Sequence, residues 1–229
     1  MFFPERILSI KPGDRVLDVG PGGTPHPRAD VLLERNFDQM EAAAQRGYAA
    51  PMPTDIRTVF FDGGRFPFED QAFDYVICSH VLEHVEDVPA FLAELYRVGH
   101  RGYLEFPTIY YDYLYNFRVH RNFIFYTDGE IRWMKKRDTP LAFFQPIQTF
   151  FYNTFRDGYE ELVVSLKDHF FQGFEWSERI PNREVTDVAK LCPTENDFRF
   201  PPPPSKCAPT SSSTLIRELA SRAFRRVFS

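Results

Sequence analysis

Val16-Leu17-Asp18-Val19-Gly20-Pro21-Gly22-Gly23 is a short apolar run that contains an aspartate and then breaks into glycines. A short apolar run predicts a buried strand, and the glycines after it predict a turn that leaves the strand's carboxyl end. Glycine adopts positive φ readily and lets the backbone come close to a ligand. Ligands of open α/β sheets bind beyond the carboxyl ends of the strands, so we expect a binding site at this turn.

Along the chain, segments with strand-like sequence alternate with predicted helices or loops. The predicted strands are Arg15–Val19, Ala29–Leu33, Thr58–Phe61, Phe73–Cys78 and Gly102–Phe106. Helices are predicted over Asp38–Arg46 and Asp87–Val98, each beginning at an aspartate that can cap it. The alternation indicates a doubly wound α/β fold with a parallel sheet. Thr24-Pro25-His26-Pro27 disfavours helix, so we expect the crossover helix between the first two strands to be nearly absent.

Acidic residues end the first three predicted strands: Asp18, Glu34 and Asp62. A carboxylate accepts hydrogen bonds on both oxygens. Beyond the second strand it can hold the two hydroxyls of a ribose, and beyond the third it can hold an exocyclic amine. An acid beside the glycine turn can hold an ammonium group. These positions favour a nucleoside that carries an amino acid as the ligand.

Three stretches resemble class I S-adenosylmethionine-dependent methyltransferases, nearest to the small-molecule group of ubiquinone and menaquinone methyltransferases. They are Val16–Gly23, Asp62 before Phe66-Pro67-Phe68-Glu69-Asp70, and Phe73-Asp74-Tyr75-Val76-Ile77-Cys78-Ser79-His80-Val81-Leu82-Glu83-His84. The resemblance covers residues 13 to 107. It implies a Rossmann-like fold with a mostly parallel, seven-stranded sheet, and S-adenosylmethionine as the cofactor.

The same resemblance implies roles for individual residues. Asp18, Gly20 and Gly22 would meet the methionine end of the cofactor, and Ser79 and His80 would lie near it. Glu34 would hold the ribose and Asp62 the adenine. The short span between Gly20 and Glu34 leaves Asp38 as an alternative ribose acid.

Three residues are candidates for a catalytic base: Glu105, His80 and His120. The sulfonium methyl is already electrophilic, so a base is needed only for an acceptor that must lose a proton. Glu105 interrupts an apolar strand at its carboxyl end, and a carboxylate there must be paired or near water. A structural ion pair with an arginine is the alternative interpretation of Glu105.

The sequence argues against two other kinds of site, one for a dinucleotide and one for a metal ion. A dinucleotide site needs glycine at the sixth position of G-x-G-x-x-G, where Pro25 stands, and the missing helix removes a pyrophosphate site. His80-Val81-Leu82-Glu83-His84 matches the H-x-x-E-H pattern of some zinc peptidases. It stands at a strand end and no distant ligand is evident, so we predict no metal. His84 is then expected to be a hydrogen-bonded core histidine.

Five regions are expected: residues 1–107, the cofactor-binding half; 108–168, a helical, aromatic-rich cap after strand five; 169–191, closing strands of the sheet; 192–213, a Pro/Ser-rich linker; and 214–229, a basic amphipathic helix. Within the cap, Thr127-Asp128-Gly129-Glu130 has capping-box spacing and predicts a helix through Lys136. Arg118–Arg137 holds six basic residues against two acidic ones, which favours an anionic acceptor or a solvated face.

Composition narrows the function further. The 229 residues carry a net charge of −5, which argues against a general nucleic-acid binder. Three cysteines without C-x-x-C spacing and no signal-peptide core fit a cytoplasmic protein. The basic helix could dock on protein or give weak peripheral contact at the inner membrane face.

We expect a methyltransferase acting on a small molecule or glycan precursor. The alternative is a methyltransferase-like domain that binds a nucleoside or partner protein without catalysis.

Overall fold

The computed structural model describes residues 1–36, 55–139, 150, 153 and 159–192. The chain divides into two units, residues 1–192 and 193–229, of which the second lies outside the described residues. The predicted helix Asp38–Arg46, nearly all of the linker and the C-terminal helix therefore also lie outside them. No helix among the described residues is long and apolar enough to cross a membrane.

The main sheet is the centre of the first unit. Its strands are β1 (Val16–Val19), β2 (Val31–Arg35), β3 (Arg57–Phe61), β4 (Phe73–Ser79), β5 (Gly99–Pro107) and β8 (Phe171–Trp176). They lie in the order β3-β2-β1-β4-β5-β8. The first five are parallel and β8 runs antiparallel to β5. The expected doubly wound, mostly parallel sheet is thus present, with six strands in the described part of the chain where seven were expected.

Short elements join and cover these strands. The helices are α1 (Val88–Val98), α2 (Ile109–Tyr115), α3 (Tyr159–Ser165), α4 (Lys167–Phe170) and α5 (Val188–Leu191), with 3-10 turns at Pro4–Arg6, Leu82–His84 and Lys136–Asp138. In α1, the Asp87 side chain accepts from Ala90 N at 2.9 Å, as expected of the predicted cap. Leu92, Leu95 and Val98 are buried against the sheet.

No helix connects β1 to β2. Residues 20–30 cross instead as a loop, fastened where Val16 N donates to the Asp30 carboxylate and Asp30 N donates to Val16 O. The prolines at 25 and 27 explain this, since a proline inside a helix removes a hydrogen bond and clashes with the preceding turn. The predicted absence of the crossover helix is confirmed.

The region after β5 differs from the expectation of a helical cap. The helix predicted from Thr127 through Lys136 is wrong, because β6 (Asn122–Thr127) and β7 (Glu130–Lys135) form an antiparallel hairpin. Asp128 and Gly129 have φ of 54° and 74°, the two positive values of a type I′ turn. Asp-Gly between alternating apolar residues is itself a hairpin signal, and it outweighed the capping-box spacing.

The closing strands are only partly as predicted. β8 joins the main sheet, but β9 (Asn182–Glu184) pairs in parallel with β7 in a separate three-stranded sheet. The expectation that residues 169–191 hold closing strands of the main sheet is therefore met by β8 and is wrong for β9. Aromatic side chains of the region pack together, with Tyr111, Tyr115, Phe170 and Phe171 forming a cluster with Phe3.

Candidate functional site

A cavity of about 930 Å³ lies at the carboxyl ends of β1 to β4. Gly20 follows β1, Glu34 lies near the end of β2, Asp62 follows β3 and His80 follows β4; all four line the cavity. Four of the seven predicted cofactor-binding residues therefore meet there. Asp18, Gly22 and Ser79 are not among the described residues that line it. Asp38, the alternative ribose acid, lies outside the described residues.

The glycine turn is held against the end of β2. Gly20 and Gly22 have φ of 67° and 58°, which a residue with a side chain rarely adopts. Gly20 N donates to Leu33 O at 2.8 Å, and Gly22 N donates to Glu34 Oε2 at 3.1 Å. A Cβ added at Gly20 would lie 2.6 Å from Val81 Cγ2. Gly20 is thus required for both conformation and space, and the hydrogen bond from Gly22 orients the predicted ribose acid.

Asp18 supports the loop that replaces the crossover helix. Its buried carboxylate accepts from His26 N at 2.8 Å. Burial, opposed by that hydrogen bond, raises the pKa of Asp18 to about 7. The structure therefore places Asp18 as a support of the loop behind the turn, and its contact with the methionine end stays a prediction.

Asp62 stands on the exposed rim of the cavity. Its Oδ1 accepts from Asn36 Nδ2 at 2.8 Å, which fixes the carboxylate relative to the end of β2. Gly63 and Gly64, which also line the cavity, have positive φ and leave open space where a Cβ would stand. A planar base has room beside Asp62, and the carboxylate can accept from an exocyclic amine.

His80 lies between two carboxylates. Its Nε2 is 2.9 Å from Glu105 Oε1 and its Nδ1 is 3.4 Å from Glu83 Oε1. Burial lowers the pKa of His80, but the hydrogen bonds to the two glutamates outweigh it and raise the value to about 9. The imidazole is therefore a cation near pH 7, and in that state it has no lone pair with which to accept a proton.

Glu105 is the acceptor at the centre of a buried network. Its oxygens accept from the backbone nitrogens of Phe2 and Phe3 at 2.8 and 3.0 Å, from Tyr103 Oη at 2.6 Å and from Ser79 Oγ at 2.9 Å. Burial raises its pKa, but His80 and these donors outweigh that and lower it to about 2. The contacts show Glu105 holding the amino-terminal segment and His80, partnered by histidine rather than arginine. Its role as a base stays a prediction.

His120 lies beside a second, smaller cavity of about 470 Å³. The lining residues are mostly basic: Glu86, Arg118, His120, Arg121, Lys135, Lys136 and Arg137. Glu86 lines both cavities and His84 lines the larger one, so the two cavities adjoin the same segment of chain. The His120 and His84 rings are in edge contact, with centroids 4.8 Å apart. Sequence reasoning did not anticipate this approach, since 35 residues lie between the two histidines in the chain.

The residues that line the larger cavity fit S-adenosylmethionine. Carboxylates stand at the ends of β2 and β3, glycines leave space for close approach, and Val19, Leu33 and Phe61 supply apolar surface. The volume lies within the usual range for small-molecule sites, roughly 300–1,000 Å³. Sheet order and cavity position also agree with the rule that α/β sheets bind ligands at the carboxyl ends of their strands.

Comparisons with known proteins point to the same class. Residues 17–104 match the family model described as a methyltransferase domain. Sterol 24-C-methyltransferase of Schizosaccharomyces pombe is 32% identical over 100 residues, which are 40% of this chain and 26% of that protein. The ubiquinone/menaquinone biosynthesis C-methyltransferase of Xanthomonas oryzae is 33% identical over 115 residues, 44% of this chain and 45% of that protein.

Among solved structures, a putative methyltransferase from Bacillus halodurans is 22% identical, with a TM-score of 0.36 over 48% of this chain and 55% of that chain. The match spans less than half the length of the sterol and ubiquinone/menaquinone methyltransferases named above. The matched region is similar to methyltransferase domains, and these matches support the class I S-adenosylmethionine-dependent methyltransferase that the sequence predicts. S-adenosylmethionine is the cofactor of this class.

Proposed function

We propose that the protein transfers the methyl group of S-adenosylmethionine to a small-molecule acceptor. The observation that carries the proposal is the meeting of Gly20, Glu34, Asp62 and His80 around one cavity. Each group is suited to one part of the cofactor: Glu34 to the ribose hydroxyls, Asp62 to the adenine amine and the glycine turn to the methionine end. The match of residues 17–104 to a methyltransferase domain supports the same activity.

The cofactor supplies an electrophilic methyl when bound, and the protein's work is to orient both reactants. Gly20 and Val81 shape the cavity next to the end of β1, and the Glu105 carboxylate fixes the His80 ring at its wall. Both nitrogens of a cationic His80 face carboxylates, so the ring shapes the cavity wall and does not itself donate to the acceptor. In-line positioning of the acceptor is then the main source of rate.

For the acceptor we propose an anionic small molecule or glycan precursor that enters through the basic cavity. Five basic side chains line it against one acid, Glu86. Lys135 and Lys136 donate to the backbone oxygens of Glu86 and Phe117, which holds their positive charges in place. Relatives named for sterol and quinone methylation support a small-molecule acceptor in general.

A transfer assay tests both parts of the proposal. The full chain is incubated with methyl-labelled cofactor and pools of carboxylated, phosphorylated and neutral small molecules, and label is followed into each pool. Transfer to an anionic pool is expected. Arg137→Gln should lower transfer to that pool by raising KM, because Arg137 lines the basic cavity, whereas the exposed Arg28→Gln is a matched control that should not.

The second candidate is a domain that binds a nucleoside or partner protein without catalysis. The loop that replaces the crossover helix, with Gly22 N bound to Glu34, is the observation that favours it. Cofactor binding with no transfer to any pool would support this candidate and contradict the first.

A further inference from the structure

Glu83, His84 and His120 form a compact group of metal-ligand type. One ligand atom from each residue can be chosen so that all three lie within 4.8 Å of one another. His84 Nε2 is 3.8 Å from Glu83 Oε1. Ligand atoms of a tetrahedral zinc site are about 3.4 Å apart, as its bond lengths require, so small side-chain movements close the group around an ion.

Both imidazoles are held by their Nδ1 atoms. His84 Nδ1 is 3.1 Å from Val119 O, and His120 Nδ1 is 2.5 Å from Asp112 Oδ1. A carbonyl oxygen can only accept, so the proton of His84 lies on Nδ1, and the Asp112 carboxylate favours the same tautomer for His120. The Nε2 lone pairs are then the ones offered to a ligand. Metal-binding histidines are oriented in this way by carbonyl or carboxylate partners.

The Glu83 side chain supplies a second, independent observation. It is 1% exposed, and its Oε2 has no hydrogen-bond partner within the described part of the chain. Burying a carboxylate oxygen without a partner is costly. A cation coordinated by this oxygen would remove that cost.

The turn that carries two of the ligands is fixed by the segment that carries the third. Asn122 Nδ2 donates to Leu82 O at 3.2 Å and to Val85 O at 2.8 Å. Arg121 N donates to Glu83 O at 2.7 Å. His120 is therefore held in register with Glu83 and His84 by its own neighbours in the chain.

We propose that Glu83, His84 and His120 bind a divalent transition-metal ion, zinc by preference. Two imidazole nitrogens and one carboxylate are the donor set of zinc sites with three protein ligands and an open fourth position. His84 lines the cofactor cavity and His120 lines the basic cavity, so the ion would lie between them. Water or an oxygen of a bound acceptor would fill the fourth position.

Metal analysis tests the site without cofactor or activity. The full chain is stripped with chelator, dialysed against zinc and measured by mass spectrometry; about one equivalent is expected for three protein ligands. His84→Ala and His120→Ala should each lose zinc, whereas the exposed His100→Ala should keep it. Asp112→Asn should weaken zinc affinity by about 10- to 100-fold, as expected for a residue that positions a ligand.

A cobalt-substituted wild-type chain keeps the test decisive if a variant fails to fold. Absorption bands of a low-coordinate cobalt site with nitrogen and oxygen ligands support the proposal. A sulfur-to-cobalt charge-transfer band would overturn it, because that band indicates cysteine ligands. Absence of bound metal in the wild type, or full zinc content in folded His120→Ala, would overturn it as well.

Discussion

In the described parts of the cofactor half, residues 1–36 and 55–107, and in the segment 108–139, several buried charges are held in opposite ways. In the cofactor half, the carboxylates of Asp18, Glu34 and Glu105 accept from backbone N–H groups. In the segment 108–139, Lys135 and Lys136 donate to backbone carbonyls. The first arrangement holds acidic groups in fixed positions, with Glu34 at the wall of the larger cavity, and the second gathers positive charge at the smaller one.

The two regions are also built over different distances in the chain. The acids and the glycine turn of the cofactor cavity stand where successive strands end, and each follows from its own strand, while residues 81–97 supply another part of the lining. The basic cavity needs contacts between the turn Leu82–His84 and residues 117–137. Changes in one region are therefore expected to leave the function of the other largely intact, except at the turn they share.

Glu105→Gln should give the largest loss of stability. The amide keeps one acceptor oxygen and turns an NH₂ group toward donors, and breaking such a buried charged network costs about 3–5 kcal/mol. Urea unfolding at neutral pH measures the change. The exposed Glu69→Gln is the control and should be neutral within about 0.5 kcal/mol.

The pH dependence of the same variant is a further check. Because the pKa of Glu105 is lowered to about 2, its contribution is present above the unfolded value of about 4.5 and is lost as the pH falls toward about 2. The wild-type chain should lose stability through this window more steeply than Glu105→Gln. Parallel curves would mean that Glu105 is not the buried acceptor described above.

Gly20→Ala should weaken cofactor binding by about 100-fold, equivalent to roughly 2.7 kcal/mol. The added Cβ meets Val81 and the positive φ is strained. Gly13→Ala is the matched control, since Gly13 has φ of 88° but open space around its Cβ. It should lower stability by about 1–2 kcal/mol and leave cofactor affinity unchanged. Equal effects of the two variants on binding would contradict the role given to Gly20.

Gly129→Ala changes the turn of the β6–β7 hairpin and should lower stability without affecting the cofactor cavity. The type I′ turn places Gly129 at φ 74° with open space around an added Cβ, so the cost is strain alone, about 1 kcal/mol. Thermal unfolding measures the loss. Cofactor affinity should stay at the wild-type value; a marked fall would show that the hairpin and the cofactor cavity are coupled.

The smallest effect is expected from removing the C-terminal segment, which lies outside the described residues, and it concerns membrane attachment. Residues 214–229 carry apolar side chains at helical spacing with four arginines against one glutamate. We propose weak attachment to anionic membranes through this segment. Flotation of the full chain with anionic liposomes should exceed that of a chain ending at Pro209, and neutral liposomes should abolish the difference. Equal flotation of the two chains would contradict the proposal.

Prediction from sequence succeeded where each element carries its own signal. The apolar run before Gly20, the Asp87 cap and the acids at strand ends are local features, and the structure places Glu34, Asp62 and His80 at one cavity. It failed where local signals competed: Thr127 and Glu130 have the spacing of a helix cap, yet Asp128-Gly129 forms a hairpin turn. The approach of His120 to His84 and the network around Glu105 depend on long-range packing, which no local pattern reveals.

Calorimetric titration of the full chain with S-adenosylmethionine measures whether the larger cavity is the cofactor site. The wild type should bind one molecule, and Asp62→Ala should bind about 10- to 100-fold more weakly, because a hydrogen bond to a charged acceptor is worth about 1.5–3 kcal/mol. The exposed Glu69→Gln, which does not line the cavity, should match the wild type. No binding by the wild type at millimolar cofactor, or equal affinity of Asp62→Ala and wild type, would contradict the account.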